Sequence, residues 1–196
     1  KIAKAIIWGI DEWSTRRAML EAGDADQIYT PLQYLEQVID MPGVKMEKGA
    51  RLTITALHFN WTVEKGSQYL GSGQLDGEGI PPDFFSDVHI RRAFSYAFDY
   101  DTFIEQVLLG YGFQVPSVIP KGLLGFNENL PMYSFDLEKA KEEFQQAWDG
   151  EVWEKGFKLT LLYNTGNEAR QTACEMLKEN IESLNPKFKI EVQGVQ

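Results

Sequence analysis

The 196-residue chain is 43% hydrophobic and 24% charged, the balance of a globular protein that can bury one core, or one core and a piece of another. Its net charge of -10 argues against a phosphate-binding surface and against a polybasic membrane patch, so nucleic acid is not an expected partner. One cysteine, Cys174, permits no disulfide and no multi-cysteine metal site within the chain, and no apolar run approaches the ~18 residues of a membrane span.

In chain order, Ile2 to Ile10 reads as a strand, with Ile6, Ile7 and Trp8 suggesting burial on both faces. Ser14 is placed to cap a helix that runs through Glu21, with Ala18, Met19 and Ala22 on one side and Gly23 as its stop. A short strand is expected over Gln27 to Thr30. Pro31 suits the first turn of a helix carrying Leu32, Leu35, Val38 and Ile39, which Met41-Pro42-Gly43 breaks. The run LTITALHFNW, Leu52 to Trp61, is β-rich and partly alternating. Gly66 to Pro82 lacks core periodicity and reads as a surface excursion. Asp87 precedes Arg91 by four residues at a helix start, where it can pair with the arginine and complement the helix terminus; Ile90, Ala93, Phe94 and Ala97 form the apolar stripe. Asp99 and Asp101 fall where a second helix begins, which carries Phe103, Ile104, Val107 and Leu108. A long connection from Gly110 to Ser134 is expected to be functional or packed on the surface.

Asp136 is placed to cap a helix whose stripe is Leu137, Ala140, Phe144, Ala147 and Trp148. Phe157 to Tyr163 is a strand, 164–167 a turn, and about Glu168 to Leu184 a helix with Ala169, Ala173, Leu177, Ile181 and Leu184 on one face. KFKIEVQ alternates as a strand, so 157–193 has the form of a βαβ unit. Both ends of the chain read as strands that continue into a longer protein.

The residues offer little chemistry of the bond-breaking kind. Asp99 and Asp101 are two apart, share no helix face and have no evident third polar partner, so they read as caps rather than as an acid/base pair. His58 and His89 lack a third ligand at metal spacing. GYG and GSG stand outside any phosphate-loop context, and no serine has a nucleophile elbow. Cys174 reads as a small core residue. Trp13 and Trp61, at element ends, are open to either core or ligand contact.

Taken together, five segments in order resemble the family 5 extracellular solute-binding proteins of ABC importers, which include oligopeptide-, dipeptide- and nickel-binding members. STRRAMLEAGDADQIYTP is similar to the family's R-x-x-x-L-x-x-G-E-x-D segment, and DVHIRRAFSYAFDYD to its D-V-R-x-A-x-x-x-A-x-D-R-D segment. VIPKGLLGFN, FDLEKAKEEFQQAW and LTLLYNTGNEARQ resemble its V-P-P-G loop, its Y-D-P-E-K-A-K helix and its Y-N-T strand, turn and helix. The resemblance implies an α/β fold: a lobe of the type II periplasmic-binding-protein kind, with a mixed sheet and flanking helices. It implies that 1–50 ends a first lobe, that a strand near 51–61 crosses, and that 51–196 is most of a second lobe.

The implied function is solute binding by lobe closure, with an oligopeptide as the favoured ligand, a membrane permease as partner, no cofactor, no metal and no catalysis. The implied location is periplasmic or extracellular, with lipid anchoring left open. The resemblance places Tyr29 and Thr30 at the ligand. Trp61, Tyr111 and the turn residues Asn164, Thr165 and Asn167, with Arg170 beyond it, are further ligand candidates. Three departures stand out. Leu108 sits where some members carry a carboxylate-holding lysine, Ala169 sits where some carry a histidine, and Tyr100 replaces the arginine of D-R-D. The first two leave room for a neutral ligand such as an oligosaccharide. A sensing domain of a signalling protein, and a hydrolase using Asp99 or Asp101, are the readings from other classes.

Overall fold

A computed structural model describes residues 2–47 and 52–196. The chain divides into two compact units, 1–50 and 51–196. Residues 48–51, where the expected lobe boundary falls and the crossing strand begins, lie outside the described residues.

In the first unit, helix α1 spans Trp13–Ala22. Its cap is Glu12, not Ser14. The Glu12 carboxylate accepts from the Ser14 and Thr15 amides at 3.0 and 2.6 Å and from the Ser14 hydroxyl at 2.7 Å. A carboxylate presents two oxygens to the helix's unsatisfied donors where a hydroxyl presents one. Gly23, at φ 78°, closes the other end in a left-handed cap. The expected helix after Pro31 is a 3₁₀ turn, Leu32–Gln37; it buries Leu35, and the following Val38 is buried as well. Pro31 stands outside it as the N-cap. Six residues between a proline and the β-branched Val38-Ile39 are too few to carry the cost of α-helix nucleation.

The strands expected over 2–10 and 27–30 do not form, and neither does one over 52–61. Ile2, Ile7 and Trp8 are largely exposed. A strand exists through lateral hydrogen bonds, and these segments carry the side-chain pattern of a strand with no ladder among the described residues.

The second unit holds a phenylalanine-rich core. Helix α2, Val88–Tyr96, is capped by Asp87 and buries Ile90, Ala93 and Phe94, with Ala97 just beyond. One turn of helix, α3 (Tyr100–Thr102), is capped by Asp99 and runs into a π-helical turn, Phe103–Val107. From Gly110 to Ser134 the backbone has no helix or strand. Helix α4, Leu137–Gln146, is capped by Asp136 and buries Ala140 and Phe144. Short α5 spans Glu151–Lys155. Strand β1 (Phe157–Asn164), helix α6 (Glu168–Leu184) and strand β2 (Phe188–Val195) complete it.

The strands β1 and β2 pair in parallel from Phe157↔Phe188 to Asn164↔Val195, as a βαβ unit requires. Phe144 lies 5.8 Å from Phe94, 5.9 Å from Phe157 and 4.9 Å from Phe188, ring centre to ring centre, so α2, α4 and both strands meet around one side chain. Cys174, Leu177 and Ile181 of α6 join the same core, and burial pushes the Cys174 thiol pKa up.

Three local readings need correction. Gly66–Pro82 is more than an excursion, because it inserts Leu70 and Ile80 into the core. An antiparallel bridge between Gly71 and Gly79 holds its neck. A Cβ on Gly79 would collide with the Leu70 carbonyl and the Ser72 amide, so the neck closes only with glycine there. Asp87 does not pair with Arg91. Its Oδ1 accepts from the His89 amide at 2.7 Å and its Oδ2 from the Trp148 amide at 2.7 Å, while Arg91 donates to the carbonyls of Phe85, Ser86 and Asp87. Trp148 is not on the α4 stripe. It and Asp149 adopt left-handed backbone at φ 52° and 54°, and the Trp148 indole N–H donates to the Phe84 carbonyl at 3.2 Å. The ring still packs against the core.

Candidate functional site

The candidate residues fall in both units, and each patch is described within its own. In the first unit, Tyr29 is 56% exposed and Thr30 is half-buried. Arg16, one turn into α1, donates from Nη1 to the Tyr29 carbonyl at 3.2 Å, and its guanidinium carbon lies 6.0 Å from the Tyr29 ring. The same guanidinium is 5.8 Å from the ring of Trp13, which stacks on Tyr34 at 4.9 Å and donates to Gln37 at 2.9 Å. Trp13 thus belongs to a packed surface cluster rather than to the core.

In the second unit, four candidates gather where β1 ends and α6 begins, the carboxyl end of the parallel strands, where α/β sheets bind their ligands. Gly166, at φ 83°, lets the chain turn. The Thr165 amide and hydroxyl donate to the Val195 carbonyl at 2.8 and 3.2 Å, which ties the turn to the end of β2. Asn167 caps α6, its side-chain oxygen accepting from the Arg170 amide at 3.0 Å. Arg170 is exposed and donates from Nη1 to Asn164 Oδ1 at 2.7 Å. The patch therefore presents a guanidinium fixed by an amide, a hydroxyl and a helix N-terminus, a set that accepts anionic or hydrogen-bonding groups.

Trp61 and Tyr111 stand in other surroundings. Trp61 is 61% exposed, and the Arg91 guanidinium lies 4.4 Å from its ring centre. Because Arg91 is held by three backbone carbonyls, the indole rests on a rigid cation. Tyr111 is 46% exposed and follows the left-handed pair Leu109 and Gly110, at φ 50° and 74°. A shallow cavity lined by Gln68, Tyr69, Lys158, Thr160 and Glu191 lies along the first half of β1 and includes none of the candidates. Sequence reasoning missed the contacts of Arg16 and Arg91. The aromatic-and-arginine composition of WSTRR and of Asn60-Trp61 with Arg91 was the signal that could have raised them.

Asp99 acts as a cap, accepting from the Thr102 amide and hydroxyl at 3.0 and 2.8 Å, and Asp101 lies exposed in the first turn of α3. Tyr100 is pushed up to about 12 by burial and by Tyr133, and its hydroxyl donates to the Ser95 carbonyl, a packing role. Among the described residues no group of three His, Cys, Asp or Glu side chains is arranged to hold a metal ion, and no helix is long and apolar enough to cross a membrane.

The α/β architecture that closes on the parallel βαβ unit is shared with solved periplasmic binding proteins, and the chain is a portion of that type II fold. The periplasmic binding protein DppA of Helicobacter pylori, solved with the peptide STSA, superposes with a TM-score of 0.69 at 21% identity, over 93% of this chain and 31% of that one. The sequence model of the bacterial extracellular solute-binding proteins, family 5 (middle), matches residues 1–196, and the chain belongs to that family. Heme-binding protein A of Haemophilus influenzae is 25% identical over 175 residues, 89% of this chain and 28% of that protein. The probable D,D-dipeptide-binding periplasmic protein DdpA of Escherichia coli is 26% identical over 183 residues, 93% of this chain and 31% of that protein. The chain spans under a third of the length of these relatives.

Proposed function

We propose that the chain is the ligand-clasping middle portion of an importer's solute receptor, and that its solute is an oligopeptide. The observation that carries this is the family match along all 196 residues. The relatives named or solved with peptides point to the ligand class. In this reading 1–50 ends the first lobe and 51–196 is most of the second. Ligand shifts an open–closed equilibrium of the lobes, and the closed form docks on a membrane permease. No bond is made or broken, so the protein is not an enzyme, and it works in the periplasm or outside the cell.

Tyr29 and Thr30 supply polar contacts from the first unit. Arg170, Asn164, Thr165 and Asn167 supply them from the second unit, with Trp61 and Tyr111 as apolar surfaces. Leu108, where some members carry a lysine that holds peptide carboxylates, and Ala169, where some carry a ligand-contacting histidine, support an oligosaccharide as the second reading. The test is native mass spectrometry of the full-length protein purified without added ligand. A distribution of peptide masses is the expected result. A discrete sugar mass selects the second reading, and no capture from peptide and oligosaccharide libraries overturns the receptor assignment.

A further inference from the structure

We propose that Arg16 is a positioning residue for the ligand contact at Tyr29 and Thr30, an inference that rests on reading those two as ligand contacts. Tyr29 and Thr30 lie in backbone that belongs to no helix or strand. Their geometry therefore has to be set by something other than a β ladder. Arg16 reaches this segment twice: Nη1 donates to the Tyr29 carbonyl at 3.2 Å, and the guanidinium face lies 6.0 Å from the Tyr29 ring centre. One group thus holds both the main chain and the side chain of Tyr29.

Arg16 is itself braced. Trp13, three residues earlier on the same helix face, lies beneath the guanidinium at 5.8 Å. Trp13 is in turn clamped between the Tyr34 ring and the Gln37 side chain. The bracing runs from the 3₁₀ turn through Trp13 and Arg16 to Tyr29.

A second observation separates this role from packing. Arg16 Nε is shielded from solvent and has no hydrogen-bond partner among the described residues. A shielded donor left unpaired works against stability, so an apolar side chain of similar length would serve packing better. What an apolar side chain cannot do is grip a carbonyl and two rings at once, which a planar guanidinium can. The neighbouring arginine shows the contrast. Arg17 is partly exposed and pairs with Glu21 at 2.8 Å, with a longer contact of 3.5 Å to Gln37 Oε1 and none to Tyr29 among the described residues.

The experiment uses the full-length protein, with a pooled library of randomised tetrapeptides as the probe and capture read by native mass spectrometry and titration. Arg16→Met is expected to weaken capture about tenfold, because an unbraced contact must be ordered on binding. Adding Tyr29→Ala to Arg16→Met should cost less than about twofold more, the non-additivity of two residues acting as one. Arg16→Lys should recover part of the loss, and Lys45→Met, at an exposed ion pair with Glu47, should bind as wild type. Backbone order parameters of the unliganded protein give a readout that needs no ligand: at Tyr29 and Thr30 they should fall below about 0.6 in Arg16→Met while α1 stays rigid. Unchanged order parameters, or unchanged capture by Arg16→Met beside weakened capture by Tyr29→Ala, overturn the role of Arg16 and leave the contact reading standing. Unchanged capture by Tyr29→Ala overturns the contact reading itself, and the inference with it.

Discussion

The two units of this chain are held by different physics. The second unit converges on rings: Phe84, Phe94, Phe144 and Phe157 are almost wholly buried, and Phe157 of β1 meets the rings of Phe84, from the 3₁₀ turn Phe84–Ser86, Phe94 of α2 and Phe144 of α4. The first unit buries only Leu35 and Val38 among its described residues, and no residue of α1 is buried. Its order comes from directional contacts: the Glu12 cap, the Trp13–Tyr34 stack and the Arg16 grip on Tyr29. Burial is non-directional and scales with area, whereas a cap or a grip depends on one charge or one atom. The second unit should therefore respond to lost volume, and the first to lost charge.

Phe144→Ala breaks the contrast most forcefully. It removes the ring where α2, α4, β1 and β2 meet and should destabilise the second unit by about 4 kcal/mol. Denaturant unfolding measures this, and a loss under ~1.5 kcal/mol would mean the core repacks around the gap. Asp87→Ala comes next, at about 3 kcal/mol, because one carboxylate both caps α2 and holds the Trp148 amide. Asp87→Asn should recover part of that loss, since it keeps one acceptor oxygen.

Asp149→Gly should raise stability by about 0.5–1 kcal/mol, because an exposed residue at φ 54° is relieved of left-handed strain. A drop in the unfolding midpoint would show that the turn needs its side chain.

The smallest effect is confined to the first unit. Hydrogen bonds from Ser14 and Thr15 hold the Glu12 carboxyl down at about 2, below its ordinary 4.5. A carboxyl depressed in the fold contributes stability above its unfolded value and loses it as pH falls. Amide protection at Ser14 and Thr15 should accordingly fade between about pH 4.5 and 2, and Glu12→Gln should abolish that titration while leaving the second unit unchanged.

Legibility followed the same division. Helix α6 was readable because Asn167 announces its start, Pro186 follows its end, and its buried residues lie at helical spacing. The strands on either side alternate cleanly, and two strands around a helix leave few topologies. The segments 2–10, 27–30 and 52–61 were misread for one reason. A β-rich pattern says that a segment suits a ladder, but the ladder is a property of two segments. The pairing of Asp87 with Arg91 failed similarly: a spacing of four permits the ion pair, but three carbonyls at 85–87 lie closer to the guanidinium.

Of the candidate residues, the sequence could group only near neighbours. Asn164, Thr165, Asn167 and Arg170 do come together, since a turn between β1 and α6 holds sequence neighbours in space. Tyr29 has a partner thirteen residues away that no motif spacing announces.

What the sequence determined by itself was the family and the register of its strongest elements. Caps, helical stripes and strand alternation are local signals, and five family segments in order are a signal of the whole chain. What only the tertiary structure decided was which side chains spend their charge on which partner: Glu12 on α1, Asp87 on Trp148, Arg91 on backbone carbonyls and Trp61, Arg16 on Tyr29. Those choices are settled by distances between segments remote in sequence, and a charged group takes the partner that folding brings within hydrogen-bond reach.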